Sequence, residues 1–320
     1  MTTESALTPR MGKATRDAYG EALVSLGEER DDIVVLDADL ACSTKSQMFG
    51  NKFPERFLNM GIQEANMVGV AAGLASSGKV PFASSFASFL ICKSYDQARM
   101  GIANPNLNVK LVGSHGGISL GEDGASQMSI EDLALAVSLP HFVVLFPADE
   151  VATRALTRRM ADHVGPCFMR TCRPKTPIVY DEGASFSIGG SATVREGSDI
   201  TLVACGAMVW DSLVAAETLA DRGISARVID VYSIKPLDEA AIAAAARETG
   251  AIVVAEEHQV RGGVGSLVAQ AAARHHPVPM GFVGVEDTYA ESGQPAELHE
   301  KYGLTAAHIV QEAEATLSRK

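Results

Sequence analysis

One carboxylate stands alone in a long stretch of small and apolar residues. From Ile62 to Gly78 the only charged side chain is Glu64. An acid among apolar neighbours tends to stay protonated, because desolvation disfavours the charged form. A carboxyl protonated near neutral pH can act as a general acid. A plainer reading also fits: Gln63 and Glu64 lie at an expected helix start, where an acid complements the helix dipole.

A second chemistry-bearing stretch is Gly113–Asp132, GSHGGISLGEDGASQMSIED. It carries His115, Glu122, Asp123, Ser126 and Gln127, with five glycines that let backbone approach a ligand closely. Loops this long without regular structure are usually functional. Phe82, Phe86 and Phe89 cluster in VPFASSFASFL and read as core or as an aromatic platform. Arg16, Arg99, Arg170 and Arg173 each offer a fork for an anion. The glycines of Arg261–Ser266 open a helix and form a weak phosphate-binding pattern.

These residues must be held by alternating strands and helices. Ile33–Asp37, Val80–Ser84, Val109–Gly113, Phe142–Phe146 and Cys167–Arg170 read as buried strands. Helical patterns lie between them at Lys13–Glu29, Gln63–Ser77, Ala87–Ala103, Ile130–Ser138 and Glu150–His163. The alternation predicts a parallel sheet covered on both faces. The Gly113–Asp132 stretch then follows a strand, at the carboxyl edge where open α/β sheets bind ligands. Arg173–Ser191, with its prolines and glycines, reads as a linker. A second α/β unit follows, with strands at Ile200–Ala204, Ala226–Val231, Ala251–Ala255 and Met280–Val285. Its helices are expected at Trp210–Arg222, Glu239–Glu248, Gly265–Arg274 and Ala306–Ser318, and Asp149 and Asp238 have the character of N-caps. The predicted fold class is α/β with two doubly wound domains, 1–172 and 191–320, joined by 173–190.

Bulk properties narrow the function. The chain has 320 residues and a net charge of −12, which argues against a nucleic-acid surface. Nothing resembles a signal peptide or an apolar membrane span, so a cytoplasmic location is expected. Cys42, Cys92, Cys167, Cys172 and Cys205 show no CxxC spacing and read as reduced thiols.

Taken in order, the segments resemble the second half of transketolases. The matching runs include Ala14–Gly20, Val35–Thr44, Pro54–Met67, Val80–Phe89, Asp96–Met100, Gly113–Leu133, Phe146–Asp149 and Phe168–Pro174. Ile234–Leu237, Glu256–Gly265 and Ser292–Leu298 continue the likeness over essentially the whole chain. The resemblance implies the pyrimidine-binding domain followed by the C-terminal domain. It also implies thiamine diphosphate as cofactor, and transfer of a two-carbon ketol unit between ketose and aldose phosphates.

The family's diphosphate domain, with its magnesium ligands, has no counterpart here. The expected partner is therefore a separate diphosphate-binding subunit carrying the Mg2+ ligands, in an α2β2 heterotetramer. By position, Glu64 matches the glutamate that hydrogen-bonds the aminopyrimidine, Phe89 and Phe86 its stacking platform, and Gln127 a cofactor contact. Arg16, Ser43, His115 and Arg170 match residues that hold the sugar phosphate. Asp123 matches a carboxylate that reads a substrate hydroxyl, and the role of His258 stays open. The alternatives are the beta subunit of a 2-oxoacid dehydrogenase, a non-catalytic regulatory transketolase-like subunit, or a sugar-phosphate binding module. Branched sugar phosphates and sulfosugars remain open as substrates.

Overall fold

The structure is a computed structural model and describes residues 7–320. The first half carries strands β1 (Met11–Ala14), β2 (Ile33–Asp37), β3 (Phe57–Asn59), β4 (Val80–Phe86), β5 (Lys110–Ser114), β6 (Val143–Leu145), β7 (Cys167–Arg170) and β8 (Lys175–Pro177). The second carries β9 (Ala192–Arg195), β10 (Ile200–Ala204), β11 (Ala226–Asp230), β12 (Ser233–Lys235), β13 (Ile252–Gln259) and β14 (Met280–Val285). Central strands such as β2, β4, β5 and β10 are buried along their whole length, as expected where helices cover both faces.

One sheet has seven strands in the order β12-β6-β7-β5-β4-β2-β3, and the other five in the order β14-β13-β10-β11-β9. Pairing is parallel except at one edge of each sheet, where β12 runs antiparallel to β6 and β9 antiparallel to β11. β1 and β8 form a separate antiparallel pair. The N-cap expectations hold: Ala152 N–H donates to Asp149 Oδ1 at 2.8 Å and Ala241 N–H to Asp238 Oδ1 at 3.0 Å.

Two of the differences from the sequence expectations bear on the site. The stretch Ala87–Ala103, expected as one α-helix, holds two wider π-helical segments, Ser88–Cys92 and Gln97–Ala103. Such turns are rare and concentrate at functional sites, and this one carries Phe89. In addition, β12 leaves the second half of the chain and completes the sheet of the first. The buried core is likewise shared, since Phe146 and Phe168 of the first half lie in one apolar cluster with Val203, Cys205 and Val231 of the second.

Candidate active site

The carboxyl ends of β2, β4, β5 and β7 converge on one cationic pocket. After β2, Asp37 ties down the turn that follows. Its carboxylate accepts from Leu40 N–H, Thr44 Oγ1 and Ser46 Oγ at 2.7–2.8 Å. That turn presents Ser43, whose carbonyl accepts from Arg16 Nη1 at 3.0 Å. The same Nη1 donates to His115 Nε2, also at 3.0 Å. Arg16 Nε is buried and bonded to nothing. His115 follows the last residue of β5 in a left-handed backbone conformation, with φ of 59°. Such strain in a non-glycine residue is tolerated where the surroundings over-determine it. Here the Phe86 ring stacks on the imidazole at 3.9 Å and Ser114 Oγ lies 2.6 Å from Nδ1. Burial, then the charges of Arg16, Arg173 and Lys45, push the His115 imidazolium down to about 3. The imidazole is therefore neutral, and the positive charge comes from the arginines and the lysine.

A second group lies alongside. Phe86 stacks on Phe89 at 5.6 Å, so the aromatic pair bridges the cationic pocket to Glu64. Glu64 is the first residue of helix Glu64–Ser76 and is 4% exposed. It is not solitary, as its sequence neighbours suggest. Lys93 Nζ lies 3.4 and 3.5 Å from its two oxygens and 4.3 Å from the centre of the Phe89 ring. The π-helical stretch brings Phe89 and Lys93 to this place from outside the apolar segment.

The glycine-rich loop after β5 is built, not slack. Gly117 N–H donates to Ser129 O at 2.7 Å, closing it at the base, and Ile118–Gly121 are buried. Ser88 Oγ donates to Gln127 O at 2.9 Å, which sets Gln127 beside the Phe89 segment, while Asp123 is exposed at the tip. The second half of the chain holds this loop. Ser119 N–H donates to Glu257 Oε1, and Gln259 N–H donates to Ile130 O.

Arg170 requires a correction. The resemblance made it an anion ligand, but it has no exposed surface. Its guanidinium lies 3.4 Å from Asp132 and 3.7 Å from Glu257 Oε2, donates to Glu257 O at 2.8 Å, and faces the Phe146 ring at 4.6 Å. A Cβ on Gly116 would fall 2.1 Å from its Nε, so the loop can close over it only with glycine there. Arg170 fastens the two halves together. Arg173, three residues on and past the end of β7, is the half-exposed arginine whose charge acts on both Arg16 and His115.

His258 also resolves. It is fully buried, with Nδ1 2.8 Å from Gln259 O, and accepts from Ala134 N–H at 3.4 Å, so it joins β13 to helix Asp132–Ser138. Glu256 accepts from Val264 and Gly265 N–H at 2.7 and 2.9 Å, capping helix Val264–His275. The glycines of Arg261–Ser266 therefore serve a carboxylate of the chain itself.

Two family models match in tandem: the transketolase pyrimidine binding domain over residues 11–178 and the transketolase C-terminal domain over 189–309. The chain belongs to the transketolase family. It is 41% identical to a 6-deoxy-6-sulfo-D-fructose transketolase subunit of Clostridium sp. (strain MSTE9), covering 95% of each chain. It is 39% identical to human transketolase across 96% of its own length but only 49% of the human protein. A solved structure described as a split gene transketolase, inactive beta4 tetramer, superposes with a TM-score of 0.91 at 47% identity. That match covers 97% of this chain and all of the other.

The residues present suit a transketolase's aminopyrimidine. A buried carboxylate can bond a ring nitrogen, and Phe89 is a half-buried ring with a half-exposed lysine over it. Among the described residues no group of three or more His, Cys, Asp or Glu could hold a metal ion. Lys93, Lys45 and the clamp residue Glu257 were not singled out from the sequence. Only Lys93 had a legible signal, four residues after Phe89 and so on the same helical face.

Proposed function

We propose that this chain is the pyrimidine-binding and C-terminal subunit of a thiamine-diphosphate-dependent transketolase. In this reading it moves a two-carbon ketol unit between anionic ketoses and aldoses. A separate subunit supplies the diphosphate and Mg2+ sites, in an α2β2 assembly. The observation that carries the reading is the bridged pair of sites: Glu64 beside Phe89, joined through Phe86 to the Arg16–His115–Arg173 pocket.

Thiamine diphosphate, when bound, supplies the carbon nucleophile that carries the two-carbon unit. This chain's residues orient it and the sugar. Glu64 holds a proton at the aminopyrimidine ring nitrogen. Phe89, flanked by Phe86, packs against the ring and excludes water from one face, and Gln127 borders it. Arg16 and Arg173 bind the sugar's terminal anion by charge-assisted bonds, with Lys45 adding charge. The Ser43 turn positions Arg16, and Asp123 at the loop tip reads a sugar hydroxyl.

The test is reconstitution. The purified chain is expected to be inactive with cofactor and magnesium. It should gain ketol transferase activity on mixing with a chain that carries the diphosphate-binding domain. Turnover by the chain alone would refute the split arrangement. A sulfonate in place of the phosphate is a second reading, favoured by the sulfofructose-acting relative and by a pocket whose charge comes from arginines, not a titrating histidine. Comparing kcat/KM for ketose phosphates and 6-sulfo-ketoses separates the two. The five cysteines are free, in keeping with a reducing compartment, and we place the protein in the cytoplasm.

A further inference from the structure

We propose that Ser114 is a positioning residue that lets His115 change tautomer when an anion enters the pocket. The argument rests on the anion-site reading above and on which atoms can donate. A guanidinium has no acceptor. The 3.0 Å contact between Arg16 Nη1 and His115 Nε2 therefore requires a lone pair on Nε2. In a neutral imidazole the proton then sits on Nδ1, and the 2.6 Å contact makes Nδ1–H the donor and Ser114 Oγ the acceptor. An oxyanion reverses the demand. Its charged oxygens can only accept, so a lone pair on Nε2 facing one of them is repulsive and Nε2 must donate. Nδ1 then carries the lone pair and needs a donor.

A hydroxyl is the side chain that serves both states, since it donates or accepts by rotating its hydrogen. Ser114 is 1% exposed, so water cannot readily take its place. The proton count balances: one proton leaves Nδ1, one arrives at Nε2 by exchange with water, and the imidazole stays neutral. The other groups facing the ring are the Phe86 face, against which it stacks, and the cations Arg16, Arg173 and Lys45; burial and these cations oppose an imidazolium. With the ring neutral in both states, His115 contributes no titration of its own to anion binding between about pH 5 and 8. The ligand does: a phosphate ester gains a proton near pH 6, whereas a sulfonate does not titrate there.

The experiment uses the full chain with 15N-labelled histidine, His115 being identified by its loss in His115→Gln. Long-range 1H–15N spectra are recorded while inorganic phosphate is added, and binding is followed in parallel by calorimetry. The expected result is a protonated Nδ1 without phosphate and a protonated Nε2 at saturation. Ser114→Ala should weaken phosphate binding by about tenfold, and Ser114→Thr should recover most of it. In a His115→Gln background, whose amide can present either face, Ser114→Ala should have little further effect. Phosphate binding with the proton still on Nδ1, or with both nitrogens protonated, overturns the tautomer change while leaving the anion site standing. Absence of phosphate binding removes the anion site itself and the proposal with it.

Discussion

The two ends of the site are finished to different degrees. The cationic end is assembled from within the chain. Arg16 is held by the Ser43 carbonyl and His115, His115 is held by Ser114 and Phe86, and a buried Arg16 N–H waits for an acceptor. The aromatic end has a buried Glu64 and a Phe89 ring backed by Phe86, and the group that joins those two is the end of Lys93, whose side chain is 51% exposed. A preorganised pocket binds with little ordering cost. A carboxylate and one ring do not enclose a cofactor. In the split-subunit reading, the cationic end is the chain's own contribution and the aromatic end a joint one.

The sharpest way to break the comparison is Glu64→Gln. In the reconstituted enzyme, activity should fall by roughly 10²–10⁴-fold, the range for a lost acid–base group, with an unchanged circular dichroism spectrum. Near wild-type turnover would reduce Glu64 to a helix-start residue. Next comes the arginine pair. Arg170→Ala leaves Asp132 and Glu257 buried without their partner and should cost about 3–5 kcal/mol, read as a lower denaturant midpoint. Arg173→Ala should leave stability within about 0.5 kcal/mol. It should instead raise KM for anionic sugars by tenfold or more, as expected from a lost charged hydrogen bond of about 1.5–3 kcal/mol. The reverse pattern would restore Arg170 as the ligand.

His115 gives a smaller, signed effect. Its imidazole is held at about 3 against an ordinary 6.5, so between those values the unfolded chain binds the extra proton. Its neutral burial is therefore no handicap above about pH 6.5, and stability is lost as pH falls from 6.5 towards 3. His115→Gln should flatten that acid-side decline in denaturation midpoints measured at successive pH values. The smallest effect is expected for Lys93→Met. Lys93 covers the Phe89 face that the pyrimidine would use, so its removal should tighten thiamine diphosphate binding severalfold in the assembled enzyme, within the range of an exposed ion pair. Weaker binding would show that Lys93 orients Glu64 instead.

Most of the frame is legible in the sequence because it rests on local patterns. Ile33–Asp37, Cys167–Arg170, Ile200–Ala204 and Met280–Val285 form strands at the expected bounds, being short apolar runs with clear flanks. Long-range pairing is not written locally. Ser233–Lys235 is three residues before a proline and becomes a strand only because β6 offers an edge. The same limit governs the site. Arg170 and Arg173 look alike in FMRTCRP, yet one is the last residue of β7 and the other lies beyond it. Their fates follow from what packs on each: the buried Asp132 and Glu257 for Arg170, and the Leu120 carbonyl with the exposed Glu122 for Arg173. Glu64 is visible as an anomaly of composition; the spacing of Lys93 from Phe89 is legible too, but its pairing with Glu64 is not, because that depends on how the π-helical stretch folds back.

The strand exchanged between the halves bears on how such a chain can be divided. A cut in 173–190 would strip β12 from β6 and leave Val143–Leu145 as a bare, apolar sheet margin. Unpaired margins of that kind recruit strands from other molecules. The same cut would part Arg170 from Glu257. Fragments made at the linker should therefore clump instead of behaving as independent modules, and workable boundaries for engineering lie outside the span from β1 to the last helix, Ala306–Leu317.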